Sequence, residues 1–415
     1  MEDAGCSGHI AGRVYDQRRR SFHTDSCDGG VEKGQHLRRI LEHYFVIDCR
    51  DWLVHRRRVG TRTYFQSRSS LAGLAGLGRG LFWNHIDGWH KKMTRVVVAE
   101  IPESTGRDLS VERSTLGSDV EIVHYICDGN EDHLIAACQD ADVVLTDYSP
   151  FTRKVIEQLR SCQLISVAAT GYNSIDLEAA ADKGIRVCAI DEYCTDEVAD
   201  HVILLMLALC RRLPEYHQQV QSEHRWQFDS LSGLARMSDL TLGIVGFGKI
   251  GQAVARRASA FGMTLLAYDP YPNAVAAADL NVRFCELAEL YSMADVISLN
   301  CGLTTENEHL LDASAFQQMT RKPMLINCAR GALVDEEALV HALDSGQVSG
   351  AALDVLSEES PDLQASNLTG RANVILTPHV AFYSDASIRD NRRISTANIR
   401  NFLDGKHNLV RRYIL

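Results

Sequence analysis

The chain has 415 residues, 45% of them apolar and 23% charged, which is typical of a globular protein large enough for two domains. Its longest apolar run, Val202 to Cys210, is too short to cross a bilayer and argues against a membrane protein. The formal net charge is −11 and the acidic residues concentrate after residue 92, so we expect no nucleic-acid surface on the main body.

Residues 1–92 differ in composition from the rest of the chain. They carry 16 Lys and Arg against 10 Asp and Glu, and include the low-complexity run LAGLAGLGRG at 71–80. Three interpretations are open: a disordered basic arm that binds nucleic acid or membrane, a transit peptide, or a segment outside a protein whose translation starts at Met93. An ordered α/β pattern begins directly after Met93, which favours the third interpretation. We therefore expect residues 1–92 to be a non-native or disordered extension.

From Arg95 onward, short β-rich runs alternate with helical stretches. This alternation predicts an α/β fold with a parallel sheet covered by helices on both faces. The predicted strands are Val96–Ala99, Val120–His124, Val143–Thr146, Leu164–Val167 and Arg186–Ala189. The predicted helices between them are Glu131–Gln139, Thr152–Arg160 and Asp176–Lys183.

A longer helix is predicted from Thr195 to Arg212. Thr195 is its predicted N-cap, and Glu197 in the first turn complements the helix dipole. Pro214 marks a break or kink after it. Because the helix lies between two α/β patterns, we expect it to connect two lobes.

The stretch from Leu240 to Asp269 predicts a strand, a glycine turn, a helix and a second strand. Gly246, Gly248 and Gly251 form G-x-G-x-x-G directly after an apolar run. The first glycine permits a tight turn, the second lets the backbone approach a pyrophosphate, and the third brings the helix close to the strand. The first N–H groups of that helix would face the phosphates. In this context the pattern predicts a dinucleotide site.

The carboxylate of Asp269, at the end of the second strand, refines the cofactor prediction. It would accept hydrogen bonds from the ribose hydroxyls and repel a 2′-phosphate, so NAD is favoured over NADP. A turn or helix cap is the alternative for this residue.

Further strands predict a second doubly wound parallel sheet. They are Thr241–Val245, Met263–Tyr268, Val282–Phe284, Val296–Leu299, Met324–Asn327, Gly350–Asp354 and Val374–Thr377. The final segment, Ala386–Leu403, predicts an amphipathic helix with Ile388, Ile394, Ile399 and Phe402 facing inward.

Three polar residues follow strands of this second sheet: Arg330, Glu359 and His379. Ligands of open α/β sheets bind outside the carboxyl ends of the strands, where all three would lie. A histidine can supply a proton to the oxygen of a ketone that accepts a hydride, and a carboxylate can orient its ring. A guanidinium can bind a substrate carboxylate through two parallel contacts. Taken singly, they could equally be an ion-pair partner, a loop acid and a strand-end cap.

The chain resembles the D-isomer-specific 2-hydroxyacid dehydrogenase family from about Arg95 to Tyr413. The stretches that carry the resemblance are GYNSIDLEAAADKGIRV, DEVADHVILLMLAL, VGFGKIG, INCARGALVDEEAL, GAALDV and LTPHVAFYS. The resemblance implies a Rossmann NAD domain (195–383) inserted in a flavodoxin-like substrate domain (93–194 and 384–415). It also implies an NAD-dependent enzyme that interconverts a 2-oxo acid and its D-2-hydroxy acid, and a homodimer with its interface near residues 195–212.

The same resemblance assigns roles to individual residues. It implies that Arg330 binds the substrate, that Glu359 is the acid paired with histidine, and that His379 is the general acid and base. The loops at 148–150 and 170–172 resemble those that hold the substrate carboxylate through backbone N–H groups, which points to Tyr148, Ser149, Gly171 and Tyr172. Beyond the three glycines, the implied NAD contacts are Lys249, Ile250, Asp269, Cys301, Cys328, Ala329, Arg330, Asp354 and His379.

The chain departs from the family pattern next to the proposed acid. The family usually has a proline directly after it, whereas here Ser360 intervenes before Pro361. Because Glu358 is adjacent, either Glu358 or Glu359 could be the partner of His379, although the spacing from Asp354 favours Glu359. The segment AFYSDAS also resembles the co-repressors of this family, so the alternative function is an NAD(H)-sensing scaffold with little or no turnover.

The cysteines bear on compartment and metals. There are twelve, and no two form a C-x-x-C pair, so we expect reduced thiols in a cytoplasmic protein. We predict no metal site. The expected partners are a small 2-oxo or 2-hydroxy acid and a second copy of the chain.

Overall fold

The computed structural model of the chain describes residues 93–102 and 108–415. The expectation for residues 1–92 therefore lies outside the described residues. No helix of the described ranges is long and apolar enough to cross a membrane. The same ranges contain no cluster of His, Cys, Asp or Glu side chains suited to a metal ion.

The first sheet has five parallel strands in the order β2-β1-β3-β4-β5, which is the flavodoxin-like order. Its strands are β1 Thr94–Glu100, β2 Val120–Ile126, β3 Val143–Thr146, β4 Leu164–Val167 and β5 Arg186–Ala189. The accompanying helices are α1 Ser110–Leu116, α2 Glu131–Cys138, α3 Arg153–Glu157 and α4 Leu177–Asp182. Every residue of β3 and β4 is buried, because helices cover both faces of the sheet. The predicted strands are confirmed.

Helix α5, Thr195–Cys210, follows the first sheet. The prediction that Thr195 caps it is wrong: Cys194 has the non-helical backbone of the N-cap (φ −134°), and Thr195 is the first helical residue. The predicted break is present, since Arg212 adopts a left-handed backbone (φ 50°) and Pro214 lies in the first turn of a new helix, α6 Leu213–Gln221. Proline is tolerated there because first-turn N–H groups have no partner within the helix.

The second sheet has seven parallel strands in the order β12-β11-β10-β9-β6-β7-β8. Its strands are β6 Thr241–Val245, β7 Thr264–Tyr268, β8 Val282–Phe284, β9 Val296–Leu299, β10 Met324–Asn327, β11 Gly350–Leu353 and β12 Val374–Leu376. Its helices are α7 Lys249–Ser259, α8 Ala274–Asp279, α9 Leu287–Met293, α10 Ala313–Gln317 and α11 Glu336–Asp344. The order reverses between β6 and β9, and a doubly wound sheet binds its ligand in the crevice at that point.

Helix α12, Asp385–Leu403, returns to the first sheet. Ile394 and Ile399 are buried as predicted, whereas Ile388 and Phe402 are only partly buried. The inner face also carries polar groups: Asn391 Nδ2 donates to the Ala168 carbonyl at 2.5 Å. These contacts place α12 against the first sheet. We call the first sheet with its helices and α12 the first lobe, and the second sheet with its helices the second lobe.

The hydroxyl of Ser384 connects the two helices that join the lobes. Ser384 caps α12 through a capping box with Ser387. The same hydroxyl donates to Glu197 Oε1, in the first turn of α5, at 2.7 Å. The two crossings of the chain between the lobes are therefore linked directly.

Candidate active site

The glycine turn after β6 has the backbone that a phosphate-binding loop needs. Gly246 has φ +91°, and a Cβ there would lie 2.7 Å from the amide nitrogen of Cys301. A Cβ on Gly251 would lie 2.1 Å from the Gly246 carbonyl oxygen. Gly248, the N-cap of α7, is different: a Cβ there would meet nothing within 4 Å. Open space in front of a helix N-terminus fits the pyrophosphate of a dinucleotide.

The carboxylate of Asp269 is held beside this turn. Its Oδ2 accepts from the Phe247 amide at 2.7 Å, and its Oδ1 accepts from the Tyr271 amide at 2.8 Å. Asp269 therefore acts as a turn cap, as the alternative interpretation proposed. Each carboxylate oxygen has a further lone pair for a ribose hydroxyl, so the two roles are compatible.

The other predicted cofactor residues lie around the same crevice, with differing contacts. Lys249 Nζ contacts Glu192 Oε2 at 2.7 Å, so its side chain is engaged by the segment between β5 and α5. Ile250 is half-buried in the first turn of α7. Cys301 follows β9, and burial raises the pKa of its thiol to about 11. Burial also raises the pKa of Cys328, which follows β10, so both thiols are neutral at pH 7.

Asp354 holds the loop that follows β12. Its Oδ1 accepts from Thr377 Oγ1 at 2.6 Å and from the Val380 amide at 2.9 Å, and its Oδ2 accepts from the Ala381 amide at 2.9 Å. Its main-chain oxygen accepts from the amide of His379 at 2.7 Å. Asp354 was predicted only as a cofactor contact, and its support of this loop was missed, because the bonds join segments that are distant in sequence.

His379 lies in that loop with a left-handed backbone, φ +49°. Non-glycine residues rarely adopt this conformation, and it is concentrated at functional sites. The Nδ1 atom of His379 is 2.8 Å from Glu359 Oε2. The hydrogen bond from His379 holds the pKa of Glu359 below its usual range, and the charges of His379 and Arg330 add to the effect. Of the two candidate acids, Glu359 is therefore the one at hydrogen-bonding distance.

Arg330 follows β10 and leads into a 3₁₀ turn at Gly331–Leu333. The side-chain amide of Asn327 donates through Nδ2 to the Arg330 carbonyl at 2.9 Å and so fixes the turn. The guanidinium packs directly on Gly171 of the first lobe, because a Cβ at that position would lie 2.0 Å from Arg330 Nη2. Gly331 is equally confined: its Cβ would lie 1.9 Å from the Leu356 carbonyl oxygen. This close approach brings the loop of Glu359 beside Arg330.

The loop at 148–150, which was predicted to hold the substrate carboxylate, differs in detail from that expectation. The Tyr148 amide already donates to Asp147 Oδ1 at 2.7 Å, so this N–H is not free for a substrate carboxylate. The Ser149 hydroxyl is fully buried and donates to the Ala99 carbonyl at 3.3 Å. Ser149 can therefore reach a substrate only through its backbone.

Two aromatic rings flank His379. The ring of Tyr148 lies 6.0 Å from the imidazole, and the ring of Phe382 lies 5.8 Å away in an edge-to-face arrangement. Desolvation raises the pKa of Tyr148 to about 12, against the opposing effect of Arg330, so the phenol is neutral at pH 7. Phe382 was missed because one aromatic residue in a loop gives no signal in the sequence. The structure thus brings Arg330, Glu359, His379, Tyr148 and Gly171 together.

The chain matches known proteins over most of the described region. A family model described as D-isomer specific 2-hydroxyacid dehydrogenase, NAD binding domain, matches residues 203–381. A hydroxypyruvate reductase of Blautia hydrogenotrophica is 37% identical over 279 residues, which cover 66% of this chain and 86% of that protein. A D-lactate dehydrogenase of Escherichia coli is 32% identical over 306 residues, 70% and 92% of the two chains. The crystal structure of an Aquifex aeolicus D-lactate dehydrogenase complexed with NAD and lactic acid superposes with a TM-score of 0.70 at 27% identity, over 77% of this chain and 98% of that one.

Proposed function

The chain belongs to the D-isomer-specific 2-hydroxyacid dehydrogenase family, and from that premise we propose how its residues interconvert a 2-oxo acid and its D-2-hydroxy acid. The observation that carries the proposal is the contact of His379 Nδ1 with Glu359 Oε2 at 2.8 Å, beside Arg330. These three residues bring together in one crevice a proton donor (His379), a carboxylate that orients it (Glu359) and a cation for an anionic substrate (Arg330).

His379 is the proposed general acid and base. Because Nδ1 is engaged by Glu359, Nε2 is the ring nitrogen left for the substrate oxygen. During reduction, negative charge develops on that oxygen as hydride arrives, and the proton on Nε2 neutralises it. During oxidation, the same nitrogen accepts the hydroxyl proton. Glu359 remains ionised throughout and keeps the imidazole in place, as its lowered pKa supports.

Arg330 is the proposed binding group for the substrate carboxylate. A guanidinium presents parallel donors that match a carboxylate, and it also polarises the adjacent carbonyl. The backbone N–H groups of Ser149, Gly171 and Tyr172 complete the proposed carboxylate site. Gly171 is the best supported of these, because its Cα lies against the Arg330 guanidinium.

NAD supplies the hydride acceptor, or the hydride donor when reduced, and the residues of the second lobe hold it. The turn at Gly246, Gly248 and Gly251 would hold the pyrophosphate, and Asp269 would hold the ribose. The remaining proposed contacts are Lys249, Ile250, Cys301, Cys328, Ala329, Arg330, Asp354 and His379. We assign 195–383 as the NAD domain, and 93–194 with 384–415 as the substrate domain, which the return of α12 to the first sheet supports.

A second copy of the chain is the proposed protein partner. Large apolar side chains are exposed on α5, α6 and the segment that follows: Leu204 (56%), Leu213 (57%), Trp226 (90%) and Phe228 (90%). Such a concentration on one continuous stretch of chain is characteristic of an interface. The Tyr216 hydroxyl donates to the Phe228 carbonyl at 2.6 Å, which holds this segment in place for a partner to cover.

The direct test is NADH consumption with glyoxylate, hydroxypyruvate, pyruvate and phosphohydroxypyruvate. We expect turnover of at least one. If the protein binds NADH but reduces none of them, the alternative of an NAD(H)-sensing scaffold would replace the enzymatic proposal. A scaffold has no need of the ordered His379–Glu359 pair, which is why we favour the enzyme.

A further inference from the structure

The last residues of the chain lie along the edge of the first sheet. Tyr413 forms an antiparallel bridge with Cys188 of β5. The Ile414 amide donates to the Val187 carbonyl at 2.8 Å, and the Ala189 amide donates to the Arg412 carbonyl at 3.1 Å. These bonds place Arg412 at the carboxyl end of β5, next to the second substrate loop.

The side chain of Arg412 joins the two segments that leave adjacent strands. Its Nη1 donates to the Thr170 carbonyl at 3.0 Å and to the Ile190 carbonyl at 3.4 Å. Its guanidinium carbon lies 5.6 Å from the centre of the Tyr172 ring, within the range of a cation–π contact. Arg412 itself has a left-handed backbone, φ +46°.

Two of the residues that Arg412 contacts, Thr170 and Tyr172, flank Gly171 on both sides. Thr170 is held by its carbonyl and Tyr172 by its ring, and Gly171 between them packs against Arg330 Nη2. We propose that Arg412 is a positioning residue that sets the loop 170–172 against Arg330 and so builds the carboxylate site. The inference rests on the proposed function, because the loop matters to catalysis only if it binds the substrate.

Arginine suits this position for a physical reason. Its planar guanidinium donates to two carbonyls and stacks on a ring at the same time, whereas a lysine ammonium donates from one point and stacks poorly. Its positive charge lies beside amides proposed to bind an anion, and it is not neutralised by an acid among its described contacts. Both effects should lower the KM for a 2-oxo acid and leave NADH binding unchanged.

The simpler explanation is that Arg412 only anchors the end of the chain. Arg186 provides the matched control, because its guanidinium stacks on Tyr413 and Phe402, 5.9 Å from each ring centre. Arg186 thus anchors the same terminal segment but has no described contact with loop 170–172. If Arg412 only anchored the end of the chain, replacing Arg412 or Arg186 should have the same effect on the KM for the 2-oxo acid.

The kinetic experiment compares Arg412→Ala, Arg412→Lys and Arg186→Ala on the 2-oxo acid that the wild type reduces. Arg412→Ala should raise KM by about 10-fold, the effect of losing one charged hydrogen bond, with kcat within about threefold. The KM of Arg412→Lys should lie between those of Arg412→Ala and the wild type. The KM of Arg186→Ala should equal that of the wild type. An unchanged KM in Arg412→Ala, or an equal rise in Arg186→Ala, overturns the proposal.

Hydrogen exchange separates this inference from the proposed function. Amides of the peptide spanning 168–175 should exchange faster in Arg412→Ala than in the wild type or in Arg186→Ala. The measurement needs no turnover, so it decides the positioning of the loop even if the wild type reduces no 2-oxo acid. Unchanged exchange in Arg412→Ala would overturn the proposal by itself.

Discussion

The guanidinium of Arg330 occupies the space that a side chain at position 171 would need, since a Cβ there would lie 2.0 Å from Nη2. One residue belongs to the seven-stranded sheet and the other to a loop of the five-stranded sheet. Their contact therefore shows how closely the two halves of the proposed active site approach each other.

Gly171→Ala should displace the Arg330 guanidinium, because a methyl group cannot share its position. We expect kcat/KM for the 2-oxo acid to fall by about 10²-fold, the usual consequence of a misplaced binding group. Steady-state kinetics would measure this, with the Kd for NADH and the Tm as internal controls. A variant with wild-type kcat/KM would show that Arg330 does not need its present position.

Glu359→Gln should change the pH dependence of turnover. The lowered pKa of Glu359 means that the carboxylate stays ionised until the pH falls below the usual range for glutamate. The pair with His379 is present above that pH and is lost as the pH falls through it, which predicts an acid limb in the wild-type rate.

In Glu359→Gln, turnover should be lower at pH 7 and that acid limb should disappear, because glutamine does not titrate. Glu358→Gln is the matched control and should keep the wild-type profile. Rates from pH 3.5 to 8, with circular dichroism to exclude unfolding, would measure this. The assignment of Glu359 fails if Glu358→Gln loses the limb instead.

His379→Ala removes the proposed proton donor and acceptor. Turnover should fall by ~10²-fold or more, while the Kd for NADH changes little. His341→Ala, a change on α11 in the last turn of the helix, is the control and should leave both unchanged. Single-turnover measurements would exclude product release as the source of the change. Retention of the wild-type rate in His379→Ala would rule out its proposed role.

Asp269→Asn tests the choice of cofactor. The amide still offers an oxygen to the Phe247 or Tyr271 backbone, but the negative charge is lost. We expect NADH affinity to fall by about 10-fold and the preference over NADPH to narrow, because the repulsion of a 2′-phosphate is removed. Asp279→Asn, on the exposed end of α8, should have no effect. Fluorescence titration with both nucleotides measures the ratio of the Kd values for NADH and NADPH. An unchanged ratio would argue against the proposed role of Asp269 in selecting NAD.

The proposed dimer interface predicts that substitutions within it lower the mass of the protein in solution from that of a dimer to that of a monomer. Replacing Trp226 and Phe228 together by serine should shift the protein from dimer to monomer, since aromatic residues contribute strongly to interfaces. Val275→Ser, which alters another exposed apolar side chain (74%), should leave the assembly unchanged. Sedimentation velocity would distinguish the two species. A double variant that remains dimeric would place the interface elsewhere.

The sequence predicted what depends on short stretches of chain. The strands follow from short apolar runs, and the glycine turn follows from three residues within one loop. The distances at Gly246 and Gly251 show why no other residue fits there. The parallel sheets followed because strands and helices alternate.

Contacts between distant segments could not be predicted in this way. Arg330 and Gly171 lie in loops that follow strands of different sheets, and no periodicity connects them. The hydrogen bonds from the loop of His379 to Asp354 could not be predicted for the same reason. A buried carboxylate accepts from whichever amides the fold brings to it. Arg412 was missed because its partners come from the ends of two strands far earlier in the chain.

The hydroxyl of Ser384 and the carboxylate of Glu197 meet where the chain crosses between the lobes in both directions. A body attached at two adjacent points retains one easy rotation, about the line through them, and resists twisting and sliding. We therefore expect any opening of the crevice to follow a swing that separates Arg330 from Gly171 and returns them to the same register. The accuracy of the proposed carboxylate site would then depend on this double connection as much as on the residues within the site.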